Sequence, residues 1–245
     1  MKRYTEADYD IIHAALMEAF HSVDAPIMDL IAAQTHDPYK ILVGTILSAR
    51  TKDGTTAAAI GRLFPVAPDL ASLDQLDIPT IEKLIYPVGF YHDKAKHLKA
   101  LPEAVNRLYG GVIPHTVEEL IELPGVGRKT ANLLVALAFQ LPAICVDTHV
   151  HRINNRLGIV KTKTPLETEM ALRKCLPERF WIDWNAIFVS FGQTRCRPIG
   201  PHCEGCPIAQ YCLTPGGKNP AATKTPATKK STPKKAAAKA TVPTK

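Results

Sequence analysis

Apolar residues recur along this chain at helical spacing, and nowhere is there a convincing strand-type alternation. Over residues 6–19, Ile11, Ile12, Ala15, Leu16 and Ala19 fall on one helix face. Asp37 and Pro38 open a second helix through Tyr39, Ile41, Leu42, Ile46 and Leu47. An aspartate there accepts orphan N–H groups, and a proline in the first turn forfeits no helical bond. The pattern stops near Ala49, Arg50 and Thr51, after which Asp53 is placed to cap a helix over 54–63. Pro65 and Pro68 break the chain. Further helical patterns cover 79–86 and 93–109, with Gly110 and Gly111 as the stop. Thr116 and Glu119 have capping-box spacing, so a short helix begins there and runs through Leu120 and Ile121. Residues 128–139 are apolar on most faces and must be largely buried. Two more helices follow at 163–176 and 181–191, where the aromatic side chains read as core. The expected fold class is all-α.

Composition adds a tail to this picture. Eight of the 30 lysines and arginines fall after Leu213, and none of the 23 acidic residues does. The body of the chain is therefore close to neutral, although the whole carries +7. Residues 214–245 are mostly Lys, Ala, Thr and Pro, too poor in apolar surface to fold. Either the tail only solubilises the protein or it coats nucleic acid non-specifically through counterion release. Residues 1–20 contain acids and no long apolar run, so neither a signal peptide nor a membrane anchor is expected. No stretch reaches the ~18 consecutive apolar residues of a membrane span. The expected setting is intracellular, in the cytoplasm with the nucleoid if the source is bacterial.

The candidate chemistry lies between Leu123 and His149. Pro124 and Gly125 end the short helix, because proline lacks a donor and glycine tolerates positive φ. Gly127 leads into the apolar helix. The hairpin Gly125-Val126-Gly127 can come close to another backbone, and the N–H groups that follow it suit a phosphate. A bare glycine hairpin is more often an ordinary tight turn; Arg128 and Lys129 in the next helical turn favour phosphate. Lys129 is the candidate nucleophile. An amine can attack a sugar C1′ and form a Schiff base, provided it is neutral when it attacks. Its ordinary pKa is about 10.4, and a nearby helix N-terminus supplies less than one unit of the required drop. Desolvation must supply the rest. The alternative is a solvated lysine that only holds phosphate. Asp147 precedes a polar helical pattern and reads as an N-cap; it could also aim a carboxylate at the pocket of Lys129.

The cysteines carry a second signal. Cys145 and Cys175 lie in apolar or helical settings and read as small buried hydrophobes. Cys196, Cys203, Cys206 and Cys212 form a C-x6-C-x2-C-x5-C run. Without a secretion signal, thiols stay reduced, so metal is favoured over disulfides. Spacing alone does not choose between Zn²⁺ and an iron–sulfur cluster.

The run LPGVGRKTAN, followed eighteen residues after its lysine by the aspartate of VDTH, resembles the helix-hairpin-helix DNA glycosylases, and within them endonuclease III. The resemblance covers about residues 35–213. It implies Lys129 as nucleophile, Asp147 as its carboxylate partner, and a [4Fe–4S] cluster on the four clustered cysteines. The cluster would shape a loop beside the DNA, with Arg195, Arg197, His202 or Lys218 presenting charge to phosphate. It implies a six-helix barrel at 30–141, a second helical domain from 1–29 and 142–213 that holds the cluster, and a cleft between them. It adds Arg50, Phe90, Gly125, Val126, Gly127, Arg128 and His149 as DNA contacts. Arg50 stands where the family commonly carries glutamine; its planar fork can fill a gap and bond an orphan base. Phe90, otherwise a core aromatic, would be the intercalating wedge. The implied activity is that of a monomeric glycosylase and abasic-site lyase acting on double-stranded DNA with oxidised pyrimidines or abasic sites. The rivals are a monofunctional adenine or thymine mismatch glycosylase and a non-catalytic hairpin DNA-binding protein.

Overall fold

The computed structural model describes residues 4–20, 28, 31, 32 and 35–215. Every regular element among them is helical, as the periodicity predicts. The order is α1 (Glu6–Phe20), α2 (Pro38–Ser48), α3 (Asp53–Leu63), α4 (Leu70–Asp74), α5 (Ile78–Ile85), α6 (Tyr91–Tyr109), α7 (Val117–Leu120), α8 (Arg128–Phe139), α9 (Thr148–Leu157), α10 (Pro165–Cys175) and α11 (Trp184–Thr194). Short 3-10 turns lie at Glu178–Phe180 and Ala209–Tyr211. None of these helices is long and apolar enough to cross a membrane. The lysine-rich tail beyond Pro215 lies outside the described residues, as do Lys218 and the expected boundary at residue 30.

Side-chain caps explain most helix starts. Asp37 Oδ1 accepts from the Tyr39 N–H at 2.9 Å, Asp77 from the Thr80 N–H at 3.0 Å, and Thr164 from the Glu167 N–H at 3.2 Å. Four expectations are corrected. Asp53 is the first residue of α3 rather than its cap; Lys52 holds the cap position and makes no side-chain cap bond. The five-residue α4, closed by an Asp69–Ser72 capping box, is too short to leave a periodic signal. The last helix begins at Trp184, because residues 178–180 take a tighter 3-10 turn first. Cys175 is exposed at the end of α10, whereas Cys145 is buried as expected.

Two hydrophobic cores organise these helices. The first runs from Met28 to Cys145 and takes in α2, α3, α5, α6 and α8, with α2 lying along α8 and α6 lying along α5. The second gathers Tyr9, Ile12 and Leu16 of α1 with α9, α11, Ile208 and Tyr211 around Trp184 and Phe188. The chain passes from one core to the other in a non-helical segment with a period of two. Ala143 and Cys145 enter the first core, and Ile144 and Val146 enter the second. Asp147 follows directly.

Polar stitches hold the seam. Glu169 of α10, with its side chain only 4% exposed, accepts from Arg128 Nε and Nη2 at 2.9 Å each and from Arg173 Nε at 3.1 Å. Arg173 Nη2 also donates to Asn132 Oδ1 at 3.0 Å. Asn185 of α11 donates to the Cys145 carbonyl at 3.1 Å. A forked pair of this kind is stronger than a neutral hydrogen bond and fixes geometry as well. Glu169→Gln is expected to lower the unfolding free energy by about 1.5–3 kcal/mol in urea titrations. A loss under about 0.5 kcal/mol would mean that the Glu169 fork does not hold the seam.

Candidate active site

The hairpin is built as its glycines require. Thr116 accepts from the Glu119 N–H at 3.3 Å and starts α7. The Val126 N–H closes a turn onto the Leu123 carbonyl at 3.1 Å. Gly125 sits at φ +76°, and a Cβ there would come within 2.9 Å of the His97 ring on α6. Val126 anchors the turn in the first core. Gly127 is the N-cap of α8 and offers no side chain to the first turn, so the leading N–H groups of α8 have no side-chain cap. A Cβ on Gly127 would meet nothing within 4 Å, so the outer side of the hairpin is open space.

Lys129 stands in that first turn and is exposed. The dry pocket that the sequence reading requires is therefore not made by the protein's own walls. Arg128 also departs from its expected role. Its guanidinium is engaged by Glu169, whose hydrogen bonds keep it charged, so it serves the seam rather than standing free for phosphate.

Asp147 is the N-cap of α9. Its Oδ1 accepts from the N–H groups of His149 at 2.8 Å and Val150 at 2.9 Å. Its Oδ2 takes no hydrogen bond among the described residues, so half of the carboxylate remains available. The segments of Lys129 and Asp147 meet at the seam, where the Cys145 thiol lies 3.6 Å from the Lys129 carbonyl oxygen. His149, two residues after Asp147, feels both charges. Burial lowers its pKa first; the Asp147 carboxylate opposes that shift, and the cations of Arg152 and Lys129 add to it. Arg152 Nη2, which can only donate, lies 3.2 Å from His149 Nδ1. Burial and the neighbouring cations therefore favour the neutral ring, against the Asp147 carboxylate and a backbone hydrogen bond to Gly192.

Arg152 continues to the cysteine loop, where its Nη2 donates to the Cys196 carbonyl at 2.8 Å. Arg156 is buried one turn on. Its Nη1 lies 3.2 Å from Cys196 Sγ and donates to the Arg197 carbonyl at 2.8 Å, while Nη2 donates to the Pro198 carbonyl at 3.0 Å. The Nε atoms of both arginines are buried without a partner, and neither pairs with a carboxylate among the described residues. Cys196, Cys203, Cys206 and Cys212 line one cavity of about 110 Å³, and none is in a disulfide. Among the described residues, no three His, Cys, Asp or Glu side chains are drawn together as a ready ligand set for a metal ion. The donor set nonetheless suits an iron–sulfur cluster in its chemistry: four thiols line one space, with the buried Arg156 and the partly buried Arg152 nearby to offset thiolate charge. Arg195 is tied to the His202 and Glu204 carbonyls, whereas Arg197 and His202 are exposed.

Arg50 and Phe90 come together at the N-terminal end of α6. Both hold left-handed backbone, at φ +56° and +59°. Such a conformation is an outlier for a bulky side chain and costs on the order of 1–3 kcal/mol. The Arg50 guanidinium carbon lies 5.4 Å from the Phe90 ring centroid, and the ring is 59% exposed. Phe90 precedes His97, the residue the hairpin packs against, by seven residues, or about 10 Å along the α6 axis.

Lys94 is a residue the sequence reading passed over. Only 6% exposed, it donates from Nζ to the Leu47 carbonyl at 2.8 Å, the Ala49 carbonyl at 2.6 Å and Thr51 Oγ1 at 3.1 Å. A lysine on the core-facing stripe of α6, between Tyr91 and Leu98, was the available signal. Arg152 and Arg156 were marked only by their i, i+4 spacing in a polar helix.

The family model described as HhH-GPD superfamily base excision DNA repair protein matches residues 43–178. Endonuclease III of Thermotoga maritima is 45% identical over 176 residues, spanning 72% of this chain and 83% of that one. The fold is similar to the protein in a non-covalent endonuclease III–DNA complex, with a TM-score of 0.75 and 30% identity over 86% of this chain and 96% of that one. It is also similar to a thermostable thymine-DNA glycosylase, with a TM-score of 0.72 and 26% identity over 83% and 94%.

Burial lowers the pKa of Lys94 to about 8. From there up to roughly 10.4, the ordinary lysine value, the unfolded chain binds a proton that the folded chain has released. This group therefore makes stability rise with pH across that window. Carbon NMR of the Lys94 Cε is expected to titrate with a midpoint near pH 8; a midpoint above about 10 would contradict the burial.

By sequence, fold and matched motif together, the chain belongs to the HhH-GPD superfamily of base excision DNA repair proteins and, within it, to the endonuclease III family.

Proposed function

We propose that this base excision repair enzyme is a bifunctional DNA glycosylase and abasic-site lyase for oxidised pyrimidines. The observation that carries the reading is the meeting of the Lys129 and Asp147 segments at the seam. The amine stands at an open helix N-terminus, and the carboxylate keeps one oxygen uncommitted. The duplex backbone lies along the hairpin, where the leading N–H groups of α8 take a phosphate. The two cores act as two domains, with the damaged nucleotide drawn out between them and Phe90 and Arg50 filling the vacancy it leaves.

Bound DNA supplies the desolvation that the protein alone leaves undone at Lys129. The neutral Nζ attacks C1′, the N-glycosidic bond breaks, and the base departs with the bonding pair and a proton. Asp147 Oδ2 stabilises positive charge as it grows on the sugar. Opening of the C1′–O4′ bond gives the imine. Loss of the C2′ proton then expels the 3′ phosphate, and hydrolysis frees the amine. Burial of His149 lowers its pKa and so disfavours a further positive charge at the site.

A [4Fe–4S] cluster held by Cys196, Cys203, Cys206 and Cys212 is the second part of the proposal. When bound, it would supply a rigid loop beside the DNA, with Arg156 against the Cys196 sulfur and Arg152 holding the Cys196 carbonyl. Protein purified anaerobically is expected to contain four irons and four acid-labile sulfides per chain, and to lose them when Cys203 and Cys206 become serine. Iron-free protein would contradict the assignment.

The function is tested on a duplex carrying one oxidised pyrimidine, with released base and nicked strand measured together. Base release coupled to nicking is expected, with Lys129→Ala lowering single-turnover nicking by at least about 10²-fold. Base release without nicking would instead favour a monofunctional mismatch glycosylase, consistent with the likeness to a thymine-DNA glycosylase. Neither event, with DNA still bound, would leave a non-catalytic hairpin protein.

A further inference from the structure

The loops that bear Arg50 and Phe90 are far apart in sequence, yet they are built as one unit, and Lys94 is where their bonds converge. From its backbone, the Lys94 N–H donates to the Phe90 carbonyl at 3.0 Å. From its side chain, the ammonium reaches Leu47, Ala49 and Thr51. Thr51 Oγ1 in turn accepts from the Gly89 N–H at 3.1 Å, and Gly89 lies so close to the first loop that a Cβ would fall 2.6 Å from the Arg50 carbonyl. Residues joined in this way leave little freedom to either tip.

A cation at this position is a poor choice for stability alone. No carboxylate pairs with Lys94 among the described residues, and an ammonium buried among neutral oxygens forfeits its hydration. What it gains is direction. Three donors on one nitrogen fit two carbonyls at the C-terminal end of α2 and one hydroxyl, and the helix dipole favours a cation there. The strained backbone at Arg50 and Phe90 persists only when its surroundings over-determine it.

We propose that Lys94 is a positioning residue for strand opening, locking the 47–51 and 89–90 loops together so that Arg50 and Phe90 meet the DNA as a preformed pair. The proposal rests on the reading of those two side chains as the ones that enter the base stack. A wedge already ordered spends none of its binding energy on ordering itself. Loss of the lock therefore weakens insertion without touching the amine at the hairpin.

The test uses the full chain and a duplex with a tetrahydrofuran abasic analogue opposite 2-aminopurine, which needs no chemistry at Lys129. A second duplex has a one-nucleotide gap opposite the analogue and so presents no base to displace. Wild type is expected to raise 2-aminopurine fluorescence on the first duplex. Lys94→Met should lose most of that rise and about tenfold in affinity there, with unchanged affinity for the gapped duplex. Thr51→Val, which removes the shared hydroxyl and leaves the ammonium in place, should move the same readouts in the same direction. It decides the matter alone if Lys94→Met does not fold. A full fluorescence rise in the variants overturns the role of Lys94, as does an equal loss of affinity for both duplexes. No rise in wild type would instead overturn the insertion reading beneath it, and the proposal with it.

Discussion

One buried carboxylate joins the two halves of this molecule. Glu169 accepts from Arg128 at the first turn of α8 and from Arg173 on its own helix, and so holds the start of α8 against the second core. Everything proposed for the site depends on that turn being fixed. Lys129 is the next residue, and Asp147 caps a helix of the other core. A rotation of α8 within its groove would move the amine by several ångströms. The extended segment that precedes Asp147 serves the same end, placing alternate side chains in alternate cores so that neither can shift alone.

The structure also shows where the protein stops and the substrate must begin. Arg128 is committed to the seam and Lys129 is exposed, so the free protein offers an open helix terminus rather than a closed pocket. A lysine left in water is a weak nucleophile near pH 7. The account therefore assigns the final desolvation to the DNA, which makes productive chemistry conditional on a correctly extruded nucleotide. Specificity and catalysis then share one event.

Much of this was legible in the amino-acid sequence. The span of α8 follows from its apolar run and the glycine before it. The cap at Asp147 follows from a carboxylate preceding a helical pattern, and the hairpin from Pro124 and Gly125. What could not be read were long-range polar commitments. Arg128 looked like a phosphate ligand because Glu169 lies forty-one residues away and nothing in the local pattern links them. Lys94 was passed over because two of its three acceptors are main-chain oxygens, which leave no mark in a sequence. Cys175 was misread because a thiol at a helix end packs or not according to the neighbouring elements. The short α4 was missed because five residues do not establish a period.

The central claim is that the hairpin, and no other part of the chain, delivers the reacting amine. The chain has other lysines, eight of them in the tail, and any neutral amine can condense with an abasic sugar. Proteolytic mass mapping of the borohydride-reduced protein–DNA adduct decides the point. The account predicts a deoxyribose remnant on the peptide that contains Lys129; a remnant on the amino terminus or on the tail lysines would contradict it.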